Sequence, residues 1–101
     1  MAKNQLKIVV SILREITDGN VPSANDYEIT NEQYWDILDA MQDDSLIKDV
    51  RITRGGTGNP IIAAFADRAK VTIRGMEYLN ENSALMKTYK GLKEVREWLP
   101  F

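Results

Sequence analysis

The spacing of apolar side chains predicts that the chain begins with a helix over residues 3–18. Apolar positions recur there at steps of three and four residues: Leu6, Val9, Val10, Leu13 and Ile16. Gly19-Asn20 follows as a stop signal. Because Ile8 and Ile12 widen the apolar arc beyond one stripe, we expect this helix to pack between other elements or to be partly buried in a dimer.

A second helix is predicted over residues 31–44, where the local start signal is the clearest in the chain. Thr30 and Gln33 have the spacing of a capping box, and Ile29 and Tyr34 that of a hydrophobic staple. One face of this helix is apolar and the opposite face is acidic, which indicates an amphipathic surface helix. Before it, Ser23 and Asp26 have the spacing to cap a single helical turn.

The period then changes from helix to strand. Val50 and Ile52 alternate with polar residues, and the later segment IIAAFA is apolar. We therefore expect a β-hairpin with strands at about 47–54 and 61–66, followed by two C-terminal helices that begin after Thr72 and Ser83. The predicted fold class is α+β, mainly helical.

The stretch RGGTGNP, which joins the two predicted strands, holds three of the six glycines. It begins like the dinucleotide fingerprint G-x-G-x-x-G, but Ile61 stands where the third glycine belongs. It also leads into a strand, whereas that fingerprint requires the start of a helix to hold the pyrophosphate. The stretch is therefore interpreted as the tip of the hairpin.

Composition narrows the classes of function. A chain of 101 residues predicts one domain over residues 1–101. With no cysteine and no histidine, thiol chemistry, thiolate zinc sites and the commonest general base are absent. The serines and threonines lie mostly at helix starts, so we predict a non-enzyme without catalytic residues, metal or other cofactor. The lack of a long apolar run predicts a cytoplasmic protein with no membrane partner.

Three segments carry a resemblance to known proteins. The sequence VTIRGMEYLNENS is similar to the LT-x-x-G-x-x-YL-x-x-N signature that follows the wing in many winged-helix regulators. Together with YKGLKEVREWL and the N-terminal KIVVSILREITDGNVPSANDYEIT, it resembles the YjcQ family of small bacterial and prophage proteins. The resemblance implies a winged helix-turn-helix with the β-hairpin as wing, and a bacterial or phage setting.

Charge is distributed unevenly along the chain, and this bears on DNA binding. Residues 21–50 carry eight acids and one base, a net −7, whereas residues 68–101 carry seven bases and four acids, a net +3. In a winged helix-turn-helix, the helix at 31–44 would face the major groove, yet it has no lysine or arginine. A DNA-binding regulator would therefore rely on other groups, for which the candidates are Gln33, Arg51, Arg54, Arg68 and Lys70.

The alternative is a protein-interaction module or dimerising adaptor that does not bind DNA. Large apolar side chains favour it: Trp35 lies at the edge of the apolar face of the second predicted helix, and the C-terminal EWLPF ends the chain with aromatic groups. The candidate interface residues are Trp35, Trp98, Leu99 and Phe101. The sequence alone leaves double-stranded DNA, another protein and a second copy of this chain open as partners.

Overall fold

The structure is a computed structural model that describes residues 2–82 and 84. Its elements follow the order α1 (Ala2–Thr17), a 3₁₀ helix (Ala24–Tyr27), α2 (Asn31–Asp43), β1 (Ile47–Lys48), β2 (Arg51–Arg54), β3 (Ile61–Phe65), β4 (Lys70–Val71) and α3 (Ile73–Glu81). The predicted α+β class is confirmed. The helix predicted after Ser83 lies outside the described residues.

The strands form two small antiparallel pairs. β2 and β3 make the predicted hairpin, in which Arg51 lies opposite Phe65 and the register shifts between Thr53 and Arg54. β1 pairs instead with β4, so that Lys48 lies opposite Lys70. The prediction of one continuous strand over 47–54 was therefore wrong, and β4 was not predicted.

The break between β1 and β2 has a local cause. Asp49 has a φ of +65°, a left-handed conformation that no strand residue adopts. The side-chain amide of Gln42 then occupies both backbone groups of Val50: its oxygen accepts from the Val50 N–H at 2.9 Å, and its nitrogen donates to the Val50 carbonyl at 3.1 Å. Val50 is thus tied to α2 rather than to a neighbouring strand.

The start of α2 agrees with the predicted capping box. The Gln33 N–H donates to the Thr30 hydroxyl at 3.1 Å, and the Gln33 side-chain oxygen accepts from the Thr30 N–H at 3.0 Å. Ser23 caps the 3₁₀ helix, and its N–H donates to the Asp26 carboxylate at 2.8 Å. These reciprocal bonds satisfy amide groups that would otherwise lack partners at a helix start.

The core forms where α1 meets α2 and the short strands. Ile12 and Leu13 of α1 are fully buried, and Leu38 and Met41 of α2 are almost so. The broad apolar arc of α1 is therefore buried as predicted, and the acidic face of α2 is left toward solvent. Among the described residues, no helix is long and apolar enough to cross a membrane.

The start of α3 is fastened to the turn between α2 and β1. Thr72 caps α3 as predicted, because its hydroxyl accepts from the Gly75 N–H at 2.9 Å and donates to the Ser45 carbonyl. The Thr72 N–H donates to the Leu46 carbonyl at 3.1 Å. Gly75 is buried against that same carbonyl, so the first turn of α3 lies in direct contact with the backbone before β1.

Candidate functional site

A groove of about 610 Å³ lies between α2, the segment before the 3₁₀ helix, and the end of β3. Its lining is mainly apolar, with contributions from Val21, Trp35, Leu38, Ala64 and Phe65, while Asn31 and Asp67 add polar groups. Trp35 is half-buried and packs against the core. Phe65 remains 48% exposed, which is unusual for a large aromatic side chain in a hairpin that packs on a helix.

Arg51 and Asp67 form one wall of this groove. The Arg51 guanidinium carbon lies 5.1 Å from the centre of the Phe65 ring, over its face, and one guanidinium nitrogen lies 3.4 Å from an Asp67 carboxylate oxygen. Both charged side chains are more than 60% exposed, so this ion pair contributes little to stability. The contact places the guanidinium of Arg51, a predicted DNA-binding residue, over the Phe65 ring with a carboxylate beside it.

The floor of the groove is fixed by Tyr34. Its hydroxyl donates to the buried Pro22 carbonyl at 2.5 Å, which ties α2 to the segment at the opposite wall. Burial, with a smaller contribution from the nearby Asp26 carboxylate, raises the pKa of the Tyr34 hydroxyl well above its ordinary value. The folded state therefore holds a proton that the unfolded chain releases at alkaline pH.

This shift gives a pH-dependent prediction. The stabilisation that the protonated Tyr34 hydroxyl gives to the folded state is fully present below pH of about 10, the ordinary pKa of tyrosine. It is lost as pH rises above that value. At pH 7, Tyr34→Phe should cost about 1–2 kcal/mol, because the Pro22 carbonyl loses its donor. Urea unfolding of both chains from pH 7 to 11 should show this difference shrinking above pH of about 10. A difference that stays constant with pH would contradict the assignment.

Arg54, another predicted DNA-binding residue, is also occupied. One guanidinium nitrogen lies 2.8 Å from an Asp39 carboxylate oxygen on α2, and the other donates to the Asn59 carbonyl at 3.3 Å. Asp39 is only 24% exposed, so this pair is better shielded from water than the Arg51 pair. Arg54 thus fastens the hairpin to α2 and closes the base of the glycine-rich tip.

The exposed face of α2 offers few groups that could interact with base edges. Its acids Glu32, Asp36 and Asp43 are exposed. Of the three amide side chains on α2, Gln33 is used in the capping box and Gln42 is bound to the backbone of Val50, which leaves the exposed Asn31 at the first turn. A helix that reads a DNA groove usually presents arginine, lysine or free amides there. The arrangement of α2 is that of an acidic surface helix.

The remaining predicted cations, Arg68 and Lys70, lie together in a different place. They line a second cavity of about 650 Å³ with Asp49, Val50 and Arg51. Lys48, which the sequence analysis did not single out, is paired directly opposite Lys70 and so projects from the same sheet face. Lys48 does not itself line the cavity, and only the pairing of β1 with β4, which no spacing within the sequence indicated, places it beside Lys70.

Of the predicted interface residues, the structure describes Trp35 alone. Trp35 contributes to the groove, whereas Trp98, Leu99 and Phe101 lie outside the described residues. Phe65 was missed as an interface residue, because a strand of alternating apolar residues predicts an inward-facing side chain. In the described part of the chain, no cluster of three or more acidic side chains has the geometry to hold a metal ion.

Comparisons with known proteins identify the family but add no fold template. No solved structure matches the chain. The chain is 31% identical over 97 residues to the uncharacterised protein YjcQ of Bacillus subtilis (strain 168), covering 95% of this chain and 98% of that protein. The model of the YjcQ protein family matches residues 6–98, and we conclude that the chain belongs to this family.

Proposed function

We propose that the chain is a non-enzymatic winged-helix module that binds a protein partner in the groove between α2 and β3. The order of elements supports the winged-helix interpretation: the 3₁₀ helix and α2 correspond to the helix-turn-helix, and β2 and β3 to the wing. The setting we propose is the cytoplasm of a bacterial cell, with the gene carried by the host or by a prophage.

The observation that carries the proposal is the exposure of Phe65 in the groove that Trp35 also lines. A half-exposed phenylalanine and a half-buried tryptophan both contribute apolar surface to this groove. Aromatic side chains of this kind supply most of the binding energy at many protein interfaces. The hydrogen bond from the Tyr34 hydroxyl to the Pro22 carbonyl fixes the floor of the groove, so less ordering is needed there when a partner binds.

The charge around the groove indicates what kind of partner fits it. The charged side chains that line the groove, Arg51 and Asp67, cancel each other, but α2, which supplies Asn31, Tyr34, Trp35 and Leu38 to the lining, carries exposed acids on its outer face: Glu32, Asp36 and Asp43. A partner segment with lysine or arginine beside an apolar side chain would match both the charge and the apolar floor. The proposed partner is therefore a basic segment of another protein, anchored by an apolar side chain.

DNA binding through the wing and the C-terminal basic residues is the second candidate, and the fold favours it. Against it, Arg51 and Arg54 are paired with Asp67 and Asp39, and the exposed face of α2 is acidic. Each aspartate offsets part of the charge of its arginine, so these arginines provide less neutralisation of phosphates than their number suggests. The observation that specifically supports this candidate is that Arg68 and Lys70 line one cavity and form no ion pair within residues 2–82.

A matched pair of variants tests the protein-binding proposal. Phe65→Ser removes the aromatic ring from the groove, whereas Ile62→Ser removes a comparably exposed side chain of the same strand that does not line it, the exposed fractions being 48% and 54%. Affinity capture from the cells that carry the gene should recover a basic protein with the unmodified chain and Ile62→Ser. Phe65→Ser should recover at least about fivefold less, because it loses an aromatic anchor.

The captured material also separates the alternatives. Recovery that is equal for the two variants would contradict binding in the groove. Recovery of a second copy of this chain, lost with Phe65→Ser, would overturn the basic-partner proposal in favour of self-association. Unfolding measurements on both variants must show comparable stability, so that a loss of recovery reports on binding.

A further inference from the structure

Two lysines face each other across the short β1–β4 pair, and this is an unfavourable arrangement. Lys48 and Lys70 are direct partners in the antiparallel register, which places their side chains on the same sheet face with Cβ atoms about 5 Å apart. Like charges in this position destabilise a sheet. Both side chains are exposed, and neither forms an ion pair with another described residue.

Arg68 adds a third unpaired cation at the same place. Arg68 and Lys70 both line the cavity of about 650 Å³, together with the carboxylate-bearing Asp49. By contrast, Arg14, Arg51 and Arg54 each pair with an aspartate. Arg51 also lines the cavity, but its charge is offset by Asp67. When Lys48, the strand neighbour of Lys70, is counted with Arg68 and Lys70, three cations that pair with no acid among the described residues stand against Asp49, a net charge of +2.

We propose that this cavity binds the phosphate group of a phosphate monoester, held by Lys48, Arg68 and Lys70. A phosphate dianion would offset the repulsion between the two lysines and match the net charge of the cavity. The planar guanidinium of Arg68 can donate two parallel hydrogen bonds to phosphate oxygens, while the lysines act as point charges. The proposal is independent of the protein-binding groove, although Arg51 lies between the two cavities.

We expect side chains to supply most of this binding. The Val50 N–H, which is the amide of a residue in the cavity wall, already donates to the Gln42 side chain. Asp49 opposes an anion and so weakens the site. Two substitutions are therefore expected to act in opposite directions: Lys70→Gln should weaken phosphate binding, and Asp49→Asn should strengthen it.

The test uses inorganic phosphate as the probe, on the full-length chain, at constant ionic strength set with sodium chloride. Two-dimensional NMR should show saturable shifts of the amides around Lys48 and Lys70. Relative to the unmodified chain, the phosphate affinity should fall about fivefold in Lys70→Gln and rise about threefold in Asp49→Asn. Arg74→Gln removes an exposed cation that does not line the cavity, so it should leave the phosphate affinity unchanged.

Folding effects and nucleic-acid binding are separated by further measurements. Without phosphate, Lys70→Gln should be at least as stable as the unmodified chain, since it removes the lysine–lysine repulsion. The absence of phosphate-specific shifts, or equal affinities in Lys70→Gln and Arg74→Gln, would overturn the proposal. Binding of a mixed-sequence DNA duplex through these residues, with a steep salt dependence and no response to phosphate, would also overturn it in favour of a DNA-backbone site.

Discussion

Replacing Gly75 with alanine is expected to lower the free energy of unfolding by about 3 kcal/mol. A Cβ at this position would lie 2.2 Å from the Leu46 carbonyl oxygen and 2.7 Å from Cγ1 of Val71. The carbonyl cannot move away freely, because it accepts the Thr72 N–H and the adjoining Ser45 carbonyl accepts the Thr72 hydroxyl. The clash therefore displaces α3 from the α2–β1 turn.

The expected loss of stability in Gly75→Ala is opposite in sign to the change that helix propensity predicts. Alanine in place of glycine within an exposed helix stabilises by about 1 kcal/mol, so propensity alone predicts a more stable protein. Gly55→Ala is the matched control, because its Cβ would make only an ordinary contact of 3.5 Å with Cδ1 of Ile62. Urea unfolding measures both variants. A Gly75→Ala chain as stable as the unmodified protein would contradict the packing of α3 described above.

Replacing Gln42 with alanine is expected to cost about 2 kcal/mol, the second largest effect. The Gln42 amide satisfies both backbone groups of Val50, a buried residue at the kink between β1 and β2. Without it, the N–H and the carbonyl of Val50 lose their partners at a position that no strand covers. The kink that separates the hairpin from the β1–β4 pair should then loosen.

Gln42→Glu isolates the hydrogen bonds from the loss of side-chain volume. Glutamate keeps an oxygen that can accept the Val50 N–H, but it places a second oxygen where the amide nitrogen donates to the Val50 carbonyl. We expect the Gln42→Glu chain to lose about as much stability as the Gln42→Ala chain, since two acceptors now face each other. Hydrogen exchange at Val50 should accelerate in both variants. Unchanged exchange and stability would show that Gln42 does not hold the kink.

The helices could be predicted because their signals are local. The capping box at Thr30 and Gln33, the N-cap at Thr72 and the apolar arc of α1 each act within a few residues along the chain. The split strand could not be predicted, because its cause is the contact of Gln42 with Val50, eight residues away, and the left-handed backbone at Asp49. Alternating apolar residues continue across that break.

The candidate sites show the same division between local and distant causes. Charge alone singled out Arg51 and Arg54, but their aspartate partners lie 16 and 15 residues away and became visible only in the fold. Phe65 and Lys48 gained their significance from strand register, which sets Phe65 beside Arg51 and Lys48 opposite Lys70. Side-chain type predicted which groups could bind a partner, and the fold decided which of them remain available.

The central claim is that a basic protein partner binds at Phe65 in the groove between α2 and β3. The most direct measurement is the dissociation constant of the purified captured partner for the unmodified chain, Phe65→Ser and Ile62→Ser, by calorimetry at two salt concentrations. The account predicts binding at least about fivefold weaker for Phe65→Ser. It also predicts unchanged binding for Ile62→Ser, and weaker binding by all chains at higher salt. Equal dissociation constants for the two variants, or affinity that does not depend on salt, would contradict it.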